Sequence, residues 1–174
     1  MTQDERSFSP LFQSFLCSSP TYQLFSRCIG QWVFQWTSYP SSGHLITFSG
    51  TWNFSWTMKR TTIHSVCRYV YAGSGLISEQ GHTASCVMDF VYDPQGDNWK
   101  YLYIPFGANA PLTFQLTCPD AYTALASAPD GRQKVQWIVD ESVQRFVMTR
   151  FLRDEDGSWR MIGRMAAHKK AIDQ

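Results

Sequence analysis

Six side chains carry the chemistry that an enclosed site would need: Glu79, His82, Asp89, Asp120, Tyr122 and Arg150, the polar groups expected to point inward. A carboxylic acid held inside an aromatic-walled interior has its ionised form destabilised by desolvation. Its pKa then rises, and it can act as a general acid or base near neutrality. Glu79 comes first. In the run Leu76-Ile77-Ser78-Glu79-Gln80-Gly81 it shares a face with Ile77 and Gly81, so simple alternation buries it. The competing reading is a structural glutamate bonded to an interior Arg or Tyr. Asp120 is the second acid, with Tyr122 and His82 as helpers that move a proton or polarise a carbonyl. His64, which alternates with Val66, Arg68 and Val70, reads either as a proton shuttle or as a satisfied polar spot.

Other chemistries lack their residues. There is no H-x-x-x-H or H-x-H spacing, so no metal is expected. No G-x-S-x-G elbow prepares a serine, and no G-x-G-x-x-G or P-loop prepares a nucleotide site, so the expectation is a chain without cofactor. Five cysteines (Cys17, Cys28, Cys67, Cys86, Cys118) make an odd set without a close C-x-x-C pair, which fits buried thiols better than disulfides or zinc. Cys118, on the face of Leu112, Phe114 and Leu116, reads as buried rather than activated. With 15 Lys+Arg against 14 Asp+Glu and no basic block, nucleic acid is an unsuitable partner. No stretch reaches the ~18 apolar residues of a membrane span. The mixed charges of residues 1–6 do not resemble a secretory signal, so a cytoplasmic protein is expected. A homodimer is left open.

The elements that must position these groups are strands. From Gln31 onward the apolar period changes from 3.6 to 2: Trp32, Phe34 and Trp36 alternate with Gln31, Val33 and Gln35, and Trp52, Phe54, Trp56 and Met58 with Thr51, Asn53, Ser55 and Thr57. Further strands are predicted at 63–71, 76–81, 83–92, 99–104, 112–118, 121–127, 134–139, 144–153 and 159–165, separated by Gly-, Pro- and Asp-rich turns. The spacing leaves no room for crossover helices, so the sheet is antiparallel. A two-sheet sandwich and a closed barrel both satisfy it. An all-β antiparallel up-and-down barrel is preferred because closure removes sheet edges. Before it, Ser9-Pro10 and Ser19-Pro20 each set a capping hydroxyl ahead of a proline, so two short helices are predicted, the second stopping at Gly30. The division is an N-terminal arm, 1–19, and a single barrel domain, 20–174. The closing His168-Lys169-Lys170 reads as a solvated tail.

Aromatic residues are 16% of the chain. Trp32, Phe34, Trp36, Trp52, Phe54, Trp56, Tyr101, Tyr103, Tyr122 and Trp137 are expected to line the interior, either filling it or walling a cavity for a flat apolar ligand, with Arg150 beside them. The octets Gly30–Thr37 and Gly50–Thr57 match at five positions, as neighbouring strands sharing an inward aromatic face would.

Gly30-x-Trp32, opening the first strand after a short helix, resembles the signature of lipocalins and other calycins. With Gly50-x-x-x-Phe54, Glu79-x-Gly81, Phe90-Val91-Tyr92, Cys118-Pro119-Asp120-Ala121-Tyr122 and Thr149-Arg150-Phe151-Leu152-Arg153, the chain resembles a small, functionally uncharacterised calycin-like family of bacteria and fungi over residues 22–153. The resemblance implies a barrel whose floor is closed by Trp32 beneath a basic residue of the last strands, Arg150 or Arg153. Two family pieces are absent: Gln115-Leu116-Thr117 stands where a His is usual, and Glu141–Arg145 where a Gly-Pro-x-Lys-Asp turn is usual.

The expected function is a cofactor-free cyclase or isomerase, of the pericyclase kind, that folds a hydrophobic small molecule of secondary metabolism against the aromatic wall. The alternatives are a non-catalytic carrier for a lipid- or polyketide-like ligand, and an interaction protein that docks through its N-terminal helices.

Overall fold

A computed structural model describes residues 18–41, 43, 45–57, 62–71, 82–93, 95, 98–104 and 110–170, with backbone alone at 70, 71 and 82–84. Among the described residues, helix α1 (Pro20–Arg27) precedes ten strands: β1 (Gly30–Ser38), β2 (Ile46–Thr57), β3 (Thr62–Tyr71), β4 (His82–Asp93), β5 (Asn98–Ile104), β6 (Leu112–Thr117), β7 (Thr123–Ser127), β8 (Gln133–Val139), β9 (Arg145–Arg153) and β10 (Trp159–Lys169). Every strand pairs antiparallel with its sequence neighbours, and β1 pairs with β10, so the sheet closes into a barrel with no free edge. The barrel, not the sandwich, is the fold.

Alternation decides what faces inward. On β1 and β2 the residues Trp32, Phe34, Trp36, Trp52 and Phe54 are all buried. The two echoing octets are adjacent strands, and because they run antiparallel Trp32 is directly opposite Trp52. On β4 the inward set is Cys86, Met88, Phe90 and Tyr92, which turns Asp89 outward, contrary to its expected inward placing. There Asp89 Oδ1 meets His64 Nδ1 of β3, directly opposite, at 2.7 Å. That pair settles His64 as a partnered group on the outer wall. The segment Leu76–Gly81 and the first predicted helix lie outside the described residues.

Helix α1 forms as its sequence dictates. Ser19 caps it, accepting from the Tyr22 amide, and Pro20 occupies the first turn, where its missing N–H costs nothing. The helix ends at Arg27 with Cys28 as an αR cap, so Gly30 is not its terminator. Gly30 instead opens β1 at φ +122°, a backbone value that only glycine adopts without strain.

The helix plugs one end of the barrel. Leu24 and Phe25 are buried, and the Phe25 ring stacks on Phe90 at 3.9 Å and meets Trp137 edge-on at 6.0 Å. Tyr22 stacks on Trp56 at 5.0 Å, and Trp99 Nε1 donates to Ser19 Oγ at 3.2 Å. Trp32 Nε1 donates to the Cys28 carbonyl at 2.7 Å, tying helix to floor.

The basic residue beside Trp32 is neither Arg150 nor Arg153. It is Lys169, whose Nζ lies 5.6 Å from the indole centre and donates to the Arg27 carbonyl at 3.2 Å. The predicted tail is instead strand, since β10 runs on to Lys169 and pairs His168 with Val33 and Lys169 with Trp32; the His168 and Lys170 side chains are exposed, as expected of a solvated end. No helix among the described residues is long and apolar enough to cross a membrane.

Candidate functional site

The end of the barrel opposite α1 is hollow. A cavity of about 220 Å³ is walled there by Trp36, Phe48, Tyr69, Tyr101 and Tyr103, by the thioethers Met88, Met148 and Met165, by Cys67 and Cys86, and by Arg150, with Ser38 and Ile46 at its rim. It approaches the ~300 Å³ at the lower end of ordinary ligand pockets. Register brings these groups together: Trp36 is opposite Phe48 on one side and Met165 on the other, Met165 is opposite Met148, and Cys67 is opposite Cys86.

Space at the mouth depends on Gly163 of β10, beside a register shift between Met161 and Gly163. A Cβ there would stand 2.1 Å from Trp36 Cζ2, so only glycine lets the indole lie across the strand. Gly163 is also the strand neighbour of Arg150.

Arg150 is the one charged side chain among the described residues that wall the cavity. Its guanidinium lies 5.2 Å from the Tyr103 ring centre, Nη2 donates to Gln133 Oε1 at 3.3 Å, and the Tyr103 side chain is a further hydrogen-bond partner. Among the described residues no carboxylate pairs with it. An arginine offers five N–H donors in a fixed fork, so this one keeps capacity for an oxygen entering the cavity. Burial pushes the Tyr101 and Tyr103 phenols up while nearby Arg150 pulls the other way, so both remain neutral donors at ordinary pH.

The two cavity thiols differ. Cys67 and Cys86 face each other across the ladder, where thiol-to-thiol hydrogen bonding raises Cys67 and lowers Cys86, and Arg150 lowers Cys86 further against the opposing effect of burial. Elsewhere burial dominates, pushing Cys28 up to about 12 and Cys118 up to about 11. The described cysteines Cys28, Cys67, Cys86 and Cys118 are free thiols. Among the described residues no group of three or more His, Cys, Asp or Glu gathers as metal ligands would.

The sequence-derived site residues divide between the two ends. Trp36, Tyr101, Tyr103 and Arg150 wall the cavity. Trp32, Phe34, Trp52 and Phe54 are buried below it in the packed interior, and Trp56 packs on α1. Asp120 and Tyr122 lie at the plugged end, in the β6–β7 connection. The Asp120 carboxylate accepts from the Tyr122 and Thr123 amides at 2.7 Å, and Tyr122 is exposed with Arg27 above its ring at 5.6 Å. Glu79 lies outside the described residues. His82 opens β4 opposite Tyr71, described in its backbone alone.

The sequence reading missed Phe48, Tyr69, Cys67, Cys86 and the three methionines. Parity alone would have found the thiols, since Cys67 shares a face with Ile63 and Ser65, and Cys86 with Met88 and Phe90.

No protein-family profile matches the chain, and no curated protein matches it in sequence. Solved structures do match. Rv2717c from M. tuberculosis superposes with a TM-score of 0.62 at 8% identity, over 88% of this chain and 99% of that one. The S-type phycobiliprotein lyase CPES from Guillardia theta superposes with a TM-score of 0.56 at 10% identity, over 95% of this chain and 100% of that one. At such identities the likeness is one of fold, and it fits the ten-stranded antiparallel barrel of the calycin-like, lipocalin-like kind.

Proposed function

We propose that the chain binds a flat, hydrophobic small molecule carrying a carbonyl or anionic oxygen in the Arg150 cavity, and that it cyclises or isomerises that molecule without a cofactor. The observation that carries the reading is Arg150, a cation in an aromatic and thioether wall with no carboxylate partner among the described residues. Arg150 is half-buried, and a cation drawn partly out of water into an apolar wall gains from a further partner, for which a ligand oxygen is the natural complement. In the catalytic step the rings of Trp36, Phe48, Tyr69 and Tyr101 hold the substrate in its reactive conformer. Arg150 and the Tyr103 hydroxyl stabilise charge developing on the oxygen. Glu79 supplies or accepts the proton; it belongs to residues 72–81, which join the two strand ends Tyr71 and His82. Asp120 and Tyr122 are assigned to the floor, where they hold a turn. The phycobiliprotein lyase of similar fold supports a barrel that handles a small molecule.

A carrier is the second reading, favoured by one observation: the described wall offers no carboxylate and no imidazole, so apart from Glu79 it is built for holding. Mass spectrometry of the organic extract of the purified protein identifies the molecule held, and the same molecule then serves as probe. Arg150→Met is expected to lose it, and retention at wild-type affinity would overturn the site. Glu79→Gln is expected to stop turnover while sparing affinity. An unchanged fate of the bound molecule in wild type and Glu79→Gln leaves the carrier.

A further inference from the structure

Binding and acid–base work make no use of the two sulfurs that face each other across the cavity. Cys67 of β3 and Cys86 of β4 are directly opposed in register, both are nearly closed to solvent, and both wall the space that Arg150 enters. A residue pair opposed across an antiparallel ladder has its Cβ atoms about 4.5–5.5 Å apart, close enough for one thiol to donate to the other. Three of the remaining wall residues are methionines and five are aromatic, so water competes poorly with an apolar ligand there.

We propose that Cys86 is a nucleophile that captures an α,β-unsaturated carbonyl compound bound in the cavity, with Cys67 as the positioning hydrogen-bond donor and Arg150 as the group that receives the carbonyl oxygen. The inference rests on the reading of the cavity as a binding site. Its chemistry balances without any co-reactant. The Cys86 thiol gives its proton to solvent; the thiolate sulfur forms a bond to the β-carbon; and the C=C π pair moves through the carbonyl to leave an enolate oxygen on Arg150 and Tyr103. Protonation of the α-carbon by water completes the addition of S–H across the double bond. Nothing is oxidised and no group leaves. The lowering of Cys86 by its two partners agrees with the assignment, because the thiolate is the reactive form. The enone geometry suits the wall: the carbonyl faces the one cation while the conjugated body lies between Trp36, Phe48 and Tyr101. The other described thiols, Cys28 and Cys118, do not reach this space.

The test uses the full chain and benzylideneacetone, a flat aromatic enone, with its saturated analogue benzylacetone as the non-reactive competitor. Intact-mass and peptide analysis should give one adduct, on Cys86, lost in Cys86→Ser and in Cys86→Ala. At pH 7 the labelling rate should fall severalfold in Cys67→Ala and in Arg150→Gln, since loss of either partner raises the Cys86 thiol and depletes its thiolate. The pH–rate profile should move upward with it. Quenching of tryptophan fluorescence by benzylacetone should persist in Cys86→Ser, which shows the variant folded and the cavity intact. Benzylacetone binding without a Cys86 adduct, or an adduct whose rate ignores both partner substitutions, overturns the nucleophile. A Cys86 adduct that saturating benzylacetone fails to slow removes the binding reading and leaves the thiol assignment standing.

Discussion

Replacing Gly163 by Ala puts a methyl group where the Trp36 indole now lies. The new Cβ would stand 2.1 Å from Cζ2, 2.7 Å from Cη2 and 2.9 Å from Cε2 of that ring. Carbon atoms rest at about 3.5–4.0 Å, so the indole has to withdraw by roughly 1.5 Å. The β1 backbone cannot follow, because it is hydrogen-bonded to β2 on one side and β10 on the other. The ring therefore turns toward Phe48, on which it already stacks at 6.2 Å, and into the cavity. Overpacking of this kind costs about 1–3 kcal/mol. A Gly-to-Ala change also restricts the unfolded chain, which returns about 0.4–1 kcal/mol where the backbone is not strained. The net is about 0.6–2 kcal/mol; for a chain of this size each kcal/mol moves the midpoint by about 2–4 °C, so calorimetry should show Tm lowered by roughly 1–8 °C. Benzylacetone affinity, read by tryptophan fluorescence, should fall alongside. The decisive variant is the double, Gly163→Ala with Trp36→Phe, which removes the ring atoms that clash; its Tm should lie above the sum of the two single effects. Additive single effects, or a Gly163→Ala protein that melts and binds like the wild type, would refute the claim that this glycine sets the mouth.

Two further outcomes concern the floor. Trp32→Phe leaves the Cys28 carbonyl without its buried donor and should cost about 1–3 kcal/mol, whereas Lys169→Met loses only a hydrogen bond at the rim and a cation–π contact of about 0.5–1 kcal/mol. Equal shifts in thermal midpoint for the two would show that the lysine, not the indole, anchors α1. Asp120 is held below the ordinary carboxylate value first by the hydrogen bond from the Tyr122 amide. A depressed folded-state value means that its stabilisation is present above the unfolded value of about 3.9 and is lost as pH falls through the folded one. The Tm gap between wild type and Asp120→Ala should accordingly be open at pH 7 and narrow progressively as pH falls below the unfolded value; a gap that stays constant on acidification contradicts the assignment.

Much of the architecture is written in two-residue alternation, which is why Trp32, Phe34, Trp36, Trp52 and Phe54 could be placed inside from the sequence. The Ser19-Pro20 cap was as plain. Alternation says in or out, but not how high along the barrel a side chain sits. Asp120 and Arg150 both read as inward polar groups, yet they belong to opposite ends. Height depends on strand register, and register depends on a shift such as the one at Met161/Gly163, which leaves no mark in the hydrophobic pattern. The register of β10 on β1, which sets Lys169 opposite Trp32, likewise leaves no such mark. Asp89 was misplaced because β4 is apolar on both faces, with Val87 and Val91 outside and Met88 and Phe90 inside, so periodicity there carries little contrast. Cys67 and Cys86 read as buried thiols, which they are, and not as site residues, because each alone looks like a small hydrophobe; only their opposition across the ladder makes them a pair.

The seam between β1 and β10 joins Trp32 to Lys169, partners 137 positions apart along the chain. Every other strand meets its sequence neighbour, so this one junction waits until the last strand of the barrel has left the ribosome. Until then β1 offers an unpaired rim whose inner side is tryptophan and phenylalanine, the kind of surface that sticks to other chains. Nascent copies need either a low synthesis rate or a chaperone's cover for that interval, and substitutions along β10 should lower recovered yield more than they lower the melting point of the molecules that do close.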